Sequence, residues 1–416
     1  MSLMAQFACL VCAKKYDYLI LRYSCDCGGL LDLSHDKAKM SFLPEHAEQR
    51  LQSRKPVDRS GVWRFREAVV PLQEAEIVSQ LEGATSIHKS DAINHWVGHD
   101  LLSIKHEGEN PSGSFKDRGM TVAVSMAKKL NMSLVACAST GNTSSSLASY
   151  AARAGLKAVV FLPAGKVSQG KMAQTLGYGA KVLAIRGDFD DAMRLVQEQA
   201  AAGRVYMVNS LNPFRIEGQK TIIWELFQDL NWQVPDWIVL PGGNLGNTSA
   251  FGKAITEAFH WGWIKKKPRL AVIQAEGANP FYRSFQNNFA SLEAMQAETI
   301  ATAIRIGNPV NFPKAVRSMR ECSGLVASVS DLEIMQAKAV IDRAGIGCEP
   351  ASAASLAGTR KLLELGHIKA GDEVVMILTG HILKDPEAIL QNTNLECTEV
   401  NANRGDISKA LDSFDT

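Results

Sequence analysis

Lys116 stands where an amine could act as a nucleophile. In Asn110-Pro111-Ser112-Gly113-Ser114-Phe115-Lys116-Asp117-Arg118-Gly119 it follows a short turn of small residues and heads an apolar run containing Met120, Val122, Ala123 and Met126. Phe115 and that run would partly desolvate the ammonium, lowering its pKa towards the range in which an amine attacks a carbonyl. Such an amine can bond covalently to an aldehyde cofactor as a Schiff base. The same residues also fit an N-cap with a solvated lysine, so other segments must decide between the two.

Four cysteines crowd the start of the chain, as Cys9-x-x-Cys12 and Cys25-x-Cys27 followed by Gly28-Gly29. Two cysteine turns joined by a β-hairpin, for which Lys15 to Tyr23 alternates suitably, could gather four thiolates into a tetrahedral zinc cage like that of a zinc ribbon. Ribbons usually carry C-x-x-C in both turns, and here the second is one residue tighter. Bound zinc and a degenerate ribbon held by packing alone both remain open. Four thiolates would leave no coordination position for a substrate, so such a metal would be structural.

Three further loops combine hydroxyls, glycines and helix starts. Ala138-Ser139-Thr140-Gly141-Asn142-Thr143-Ser144-Ser145-Ser146 follows the expected strand Leu134–Cys137 and precedes an alanine-rich helix. Backbone donors and a helix dipole there favour an anionic group, although a serine-rich N-cap has the same composition. Pro241-Gly242-Gly243-Asn244-Leu245-Gly246-Asn247-Thr248 could cradle a phosphate through main-chain N–H groups, or simply make a tight turn; it lacks the dinucleotide pattern G-x-G-x-x-G. The third loop, Thr379-Gly380-His381-Ile382-Leu383-Lys384-Asp385-Pro386, places a hydroxyl at a strand's carboxyl end, where it could bond a ring nitrogen without carrying a charge.

Positioning these loops requires an α/β framework. Short β-branched runs alternate with longer amphipathic ones, the pattern of βαβ units around a mostly parallel sheet. Strands are expected at 101–106, 134–137, 158–162, 181–185, 205–208, 237–240, 270–274 and 373–378. Helices are expected at 116–130, 144–154, 169–176, 188–202, 217–230 and 248–261. In such sheets ligands bind beyond the strands' carboxyl ends, which is where all three loops fall. The 416 residues, 46% of them hydrophobic, can bury cores for two or more domains. A formal charge of +2, from 45 basic and 43 acidic residues, and no dense basic run argue against nucleic acid as a partner. No window is long and apolar enough to cross a bilayer and the first ten residues carry no basic leader, so a cytoplasmic protein is expected. Eight cysteines, the remainder scattered at 137, 322, 348 and 397, do not suggest a secreted disulfide scaffold.

Taken in chain order, these pieces resemble a known family. Asn110 to Met120, Ala138 to Thr143, Asn209 to Thr221, Ala303 to Pro309, Cys348 to Ser355 and Thr379 to Pro386 are similar to segments of the threonine synthases, pyridoxal phosphate enzymes of fold type II related to tryptophan synthase β subunits. The resemblance covers nearly the whole chain. The cysteine-rich head with Gly28-Gly29-Leu30-Leu31 is similar to an N-terminal extension of that family. Ser112 departs from the pattern, standing where threonine is commoner. Ile382 replaces a small residue and could narrow the space beside the cofactor ring.

The resemblance implies two open, twisted, mostly parallel α/β domains of the tryptophan synthase β-like kind behind a zinc-ribbon-like head: head 1–40, small domain 112–210, and a large cofactor domain from 41–111 and 211–416. It implies that Lys116 forms the Schiff base with pyridoxal 5'-phosphate and that Asn142 contacts the cofactor's phenolic oxygen. Gly242, Gly243, Asn244, Leu245 and Gly246 would enclose the cofactor phosphate, and Thr379 would meet the pyridine nitrogen. Ser139, Thr140 and Thr143 would face the substrate, while Asn209, Ser210 and Arg215 would grip the phosphate of O-phosphohomoserine. Cys9, Cys12, Cys25 and Cys27 remain the candidate zinc ligands. A cytoplasmic homodimer making threonine and phosphate from O-phosphohomoserine and water is implied. Three other possibilities share these residues: a phosphoserine-dependent β-replacement enzyme, a threonine or serine dehydratase, and a non-catalytic pyridoxal phosphate-binding sensor.

Overall fold

The computed structural model describes residues 5–165, 169–392 and 399–412; Cys397 lies outside them. Three sheets organise the chain. Four parallel strands, in the order Lys181–Ile185, Lys157–Pro163, Leu134–Ala138, Tyr206–Met207, form the smaller α/β sheet. Six strands form the larger, in the order Leu325–Val329, Arg269–Ala275, Trp237–Pro241, Val374–Leu378, Leu102–His106, Ile87–His88. All neighbours in it are parallel except the last pair. Its central strands, WIVLP and VVMIL, are buried at every residue because helices cover both faces, which is why they read as unbroken apolar runs.

The expected strands lie within a residue or two of those observed. In the large sheet two were not anticipated: Leu325–Val329, whose Ala and Ser dilute the apolar signal, and the two-residue edge strand Ile87–His88. The expected helix 217–230 begins earlier, with Pro213 in its first turn and the Asn212 side chain accepting from Phe214 N–H, and divides into Pro213–Gln219 and Thr221–Asp229. The helices Phe312–Glu321, Asp331–Arg343 and Pro350–Glu364 complete the large layer. Among the described residues, no helix is long and apolar enough to cross a membrane.

The head differs from the expected hairpin over Lys15 to Tyr23. Only Lys15–Tyr16 is strand, paired antiparallel with Ala5–Cys9, whose other edge pairs with Leu31–His35. Asp17 ends the strand, its carboxylate accepting from Leu19 N–H at 2.9 Å while its carbonyl accepts from Ile20 N–H. Leu31–His35 then locks the head onto the large layer. Asp32 pairs with Lys314 at 2.7 Å and Arg317 at 2.5 Å, Lys253 donates to Leu33 O at 2.5 Å, and His35 lies 3.4 Å from Glu217.

A buried ion cluster fixes the centre. Glu225 accepts from Arg118 at 2.7 Å, Lys105 at 2.8 Å and Arg64 at 3.1 Å, as well as from the N–H groups of Ala84 and Thr85. Arg118 also meets Glu107 through two of its nitrogens, at 2.6 and 2.7 Å. These cations hold the Glu225 carboxyl well below the usual carboxylate range, overcoming the opposing effect of burial. Removing one charge leaves the others buried without compensation, so Glu225→Gln is expected to lower stability by about 3–5 kcal/mol in equilibrium urea unfolding near neutral pH. Because its folded pKa is depressed, the carboxyl's contribution is present above its unfolded pKa and is lost as pH falls. The wild-type advantage over the variant should therefore shrink in acid.

Candidate active site

Lys116 opens the helix Lys116–Lys129. The preceding turn is held by Asp117, whose carboxylate accepts from Ser112 N–H and Ser112 Oγ at 2.6 Å each and from Ser146 Oγ at 2.5 Å. Burial raises the Asp117 pKa to about 6 against these donors. Phe115 N–H donates to Thr379 O, and His381 N–H donates to Gly113 O, so the turn is stitched to the third loop. The Lys116 amine sits 4.1 Å from the Phe115 ring centroid. Burial and then the positive charge of Arg215 lower its pKa to about 7, with Glu349 opposing. An amine in that range is substantially neutral at physiological pH and can serve as nucleophile or base.

Arg215 reaches this neighbourhood because two helices touch backbone to backbone. A Cβ at Gly119 would stand 2.9 Å from Arg215 O, and one at Gly218 would stand 1.8 Å from Arg118 O. Only glycine allows Lys116–Lys129 and Pro213–Gln219 to approach so closely. The Arg215 guanidinium is 2% exposed and donates to Val208 O at 3.2 Å, but its Nε has no partner and no carboxylate pairs with it among the described residues. Burial lowers its pKa to about 10. A desolvated cation without a counter-ion is costly, and an anion arriving beside it would relieve that cost.

The glycine loop after Trp237–Pro241 enters the helix Gly246–His260 through Leu245, held in the left-handed region at φ +59°. Such a conformation is strained for leucine and needs surrounding support. A Cβ at Gly242 would meet Val272 at 2.5 Å, and one at Gly243 would meet Ile304 at 2.9 Å, so the segment Ala303–Pro309 packs directly on the loop. The N–H groups of Gly243, Asn244, Leu245 and Gly246 find no protein acceptor among the described residues. Thr248, in the helix's first turn, is fully buried with its hydroxyl unpartnered. Together these unpaired donors at a helix N-terminus form an anion cradle. The Asn244 side chain donates to Ser210 Oγ at 3.1 Å and accepts from Val310 N–H at 2.8 Å, bridging the cradle to the segment before Arg215.

The other anticipated residues divide by task. Asn209 spends its amide on Ala138, accepting from its N–H at 3.0 Å and donating to its carbonyl at 2.9 Å, and so fixes the start of the serine-rich loop. Ser139, Thr140 and Thr143 are half-buried on that loop. Asn142 is buried at the start of the helix Asn142–Ala154 and donates to Glu349 at 2.9 Å. Thr379 is buried and donates to the other oxygen of Glu349 at 3.1 Å. Ile382 lies over Gly347, 3.2 Å from where a Cβ would stand there. In the head, the four anticipated thiols converge, with all four sulfurs within 4.8 Å of one another.

Sequence reasoning assigned no role to Glu349, Asp117, Thr248 or Lys384. Glu349 sits within a segment already singled out, but its partners Asn142 and Thr379 lie 207 and 30 positions away along the chain, a pairing without local signature. Lys384 donates to Ser112 O and Ser145 Oγ at 3.0 Å and to Gln174 at 2.6 Å, closing the third loop over the turn.

Comparison with known proteins gives a consistent picture. The family profile described as pyridoxal-phosphate dependent enzyme matches residues 78–380. The chain is 46% identical to a threonine synthase of Methanocaldococcus jannaschii, covering 92% of this chain and 94% of that one. It is 45% identical to a threonine synthase of Methanosarcina acetivorans, covering 98% and 99%. The solved threonine synthase of Escherichia coli superposes with a TM-score of 0.72 over 98% of this chain and 100% of that one; at 16% identity it attests the fold alone.

In cofactor-free protein, acylation of Lys116 by a small activated ester, followed by peptide mass spectrometry, should rise with pH through a midpoint near 7. Arg215→Ala removes a neighbouring positive charge and should move that midpoint upward. A wild-type midpoint at the ordinary lysine value would show that the amine is solvated.

Proposed function

The chain belongs to the threonine synthases, within the pyridoxal-phosphate-dependent enzymes, and on that premise we propose how its residues divide the work. Its reaction converts O-phospho-L-homoserine and water to L-threonine and phosphate, the last step of threonine biosynthesis. The observation that carries the assignment of roles is Arg215, a buried guanidinium without a carboxylate beside a lysine amine of lowered pKa. A substrate bearing a phosphate ester supplies the missing anion, and the guanidinium's planar fork suits it.

The residues fit pyridoxal 5'-phosphate. Among the described residues the N–H groups of Gly243 to Gly246 and the buried Thr248 hydroxyl lack partners, as a phosphate site requires, and the Lys116 amine is in range for carbonyl attack. When bound, the cofactor withdraws electrons from the carbon bearing the substrate's amino group, making protons on neighbouring carbons labile. Lys116 would hold the cofactor through its amine and would take up and return those protons as general base and acid. Gly243, Asn244, Leu245 and Gly246 would hold the cofactor phosphate, whereas the expected Gly242 gives its N–H to Ile273 O at 2.7 Å and only shapes the turn; Asn142 would face the phenolic oxygen and Thr379 the ring nitrogen. Arg215 and Ser210 receive the departing phosphate, with Asn209 holding the loop edge. Ser139, Thr140 and Thr143 orient the substrate. Asp117 and Lys384 keep the lysine turn closed against water.

Lys116→Ala should abolish turnover. Arg215→Ala should raise KM for O-phosphohomoserine by about 30-fold or more, the consequence of truncating one side of a buried charge pair. The assay is paired measurement of phosphate and threonine, with O-phosphoserine plus sulfide alongside. Phosphate released only from O-phosphoserine would transfer the activity to a β-replacement, and indifference of KM to Arg215→Ala would remove the phosphate grip.

We also propose that the head binds one structural zinc ion. Cys9 and Cys27, Cys12 and Cys25, and Cys12 and Cys27 each stand 3.5 Å apart sulfur to sulfur, close to the roughly 3.8 Å edge of a tetrahedron with ~2.3 Å zinc–sulfur bonds. Val11 N–H donates to Cys9 Sγ, the Tyr16 hydroxyl lies 3.0 Å from Cys25 Sγ, and a Cβ at Gly29 would stand 2.7 Å from Cys9 Sγ. Elemental analysis should find one zinc per chain in protein purified without added metal, and none in Cys12→Ser/Cys27→Ser. Zinc-free wild type would leave the head a packed but metal-free ribbon. The buried, unpaired thiols of Cys137, Cys322 and Cys348 support a reducing, cytoplasmic setting. The division into head, small and large domains and a homodimeric assembly belong to the same proposal.

A further inference from the structure

Glu349 lies in the site without a role in the chemistry above. It is 4% exposed and precedes the helix Pro350–Glu364. Its two oxygens are taken by two side chains from opposite parts of the chain: Asn142 Nδ2 donates to Oε2 at 2.9 Å, and Thr379 Oγ1 donates to Oε1 at 3.1 Å. Gly380 is what admits the carboxyl here, since a Cβ on it would stand 2.5 Å from Glu349 Cδ.

We propose that Glu349 is a positioning residue that fixes which atoms Asn142 and Thr379 present to the cofactor ring. This rests on the assignment of Asn142 and Thr379 to that ring.

For Asn142 the consequence is orientation. An amide can rotate by a half-turn and offer either its oxygen or its N–H₂. With one hydrogen of Nδ2 given to Glu349, the amide is held with its nitrogen at the carboxyl, and the second hydrogen is the one available to a phenolic oxygen. Without Glu349, both orientations become accessible.

For Thr379 the consequence is a choice between donor and acceptor. Ser352 Oγ accepts from the N–H groups of Thr379 and Gly380 at 2.8 and 3.0 Å, so its own hydrogen goes to Thr379 Oγ1, 2.9 Å away. That leaves Thr379 one hydrogen and one lone pair. When Glu349 is ionised, the hydrogen is committed to the carboxylate and Thr379 presents the lone pair to the ring nitrogen. When Glu349 carries a proton on Oε1, it donates to Thr379, and Thr379 presents its hydrogen instead. A hydroxyl partner is thereby matched to either a protonated or an unprotonated nitrogen.

The charges acting on Glu349 are Lys384, from the segment after Thr379, and Lys116, from the lysine helix; both favour the ionised form, as do the hydrogen bonds from Asn142 and Thr379. Burial outweighs them and raises its pKa above the usual glutamate value. Its protonated fraction falls as pH rises.

The test uses holoenzyme and two variants. Glu349→Gln keeps an acceptor for Asn142 and permanently donates to Thr379, whereas Glu349→Ala releases both. Two readouts are taken: the visible absorbance of the lysine-bound cofactor across neutral pH, and the affinity of the cofactor-free protein for pyridoxal 5'-phosphate by fluorescence quenching. Expected are a pH-dependent band in wild type, a band no longer responsive to pH with affinity within about threefold in Glu349→Gln, and affinity weakened by about tenfold in Glu349→Ala. Glu349→Ala with wild-type affinity and pH response would overturn the role of Glu349 alone. A wild type without a visible band that Lys116→Ala removes would overturn the cofactor assignment, and the role of Glu349 with it.

Discussion

The site depends on an asymmetry among buried cations. Arg118, Lys105 and Arg64 are fully withdrawn from water and share Glu225, with Glu107 completing the coordination of Arg118. Arg118 lies two positions after Lys116 on the same helix, so the cluster fixes the lysine's backbone from one side while Asp117 fixes the turn from the other. Among the described residues, Lys116 and Arg215 occupy the same interior without ion-pair partners. With Arg118, Lys105 and Arg64 neutralised by carboxylates and Lys116 and Arg215 left uncompensated, the interior carries a local deficit of negative charge. Beside burial, the lowered pKa of the Lys116 amine expresses that deficit.

Close approach is the second constraint. The lysine helix and the arginine helix meet through Gly119 and Gly218, and the anion cradle packs on Ala303–Pro309 through Gly243. In each case a missing side chain brings two backbones together. Segments far apart in sequence thereby acquire the short distances that electrostatics requires, since Coulomb interaction between partly desolvated groups falls with separation and with every water admitted between them.

Much of this was legible in the chain because parallel strands covered on both faces must be continuously apolar and the loops at their carboxyl ends must be small and polar. Trp237–Pro241 followed by two glycines, and Val374–Leu378 followed by Thr379-Gly380, declare themselves on those grounds. The burial that chiefly lowers the Lys116 pKa was visible in Phe115 and the apolar run; the second cause, the charge of Arg215, is one that no local pattern connects to it. Leu325–Val329 escaped notice because its Ala and Ser blur the run, and Lys15 to Tyr23 misled because alternation alone cannot reveal that Asp17 will end the strand with its own side chain. Asn209 reads as a phosphate ligand but holds Ala138, and Glu349 reads as part of a helix start yet joins Asn142 to Thr379. Polar side chains can satisfy themselves in several ways, and tertiary neighbours choose among them.

The docking of the head also sets a schedule for synthesis. Strand Leu31–His35 leaves the ribosome early, whereas its partners Lys253, Lys314 and Arg317 are not made until most of the chain has followed. Throughout that interval Asp32 and the carbonyls of Leu31 and Leu33 must face water or chaperones in place of their lysines. What keeps the strand in register meanwhile is local: the antiparallel pairing with Ala5–Cys9. The strand pairing thus preserves one face of the interface until the opposite face has been translated.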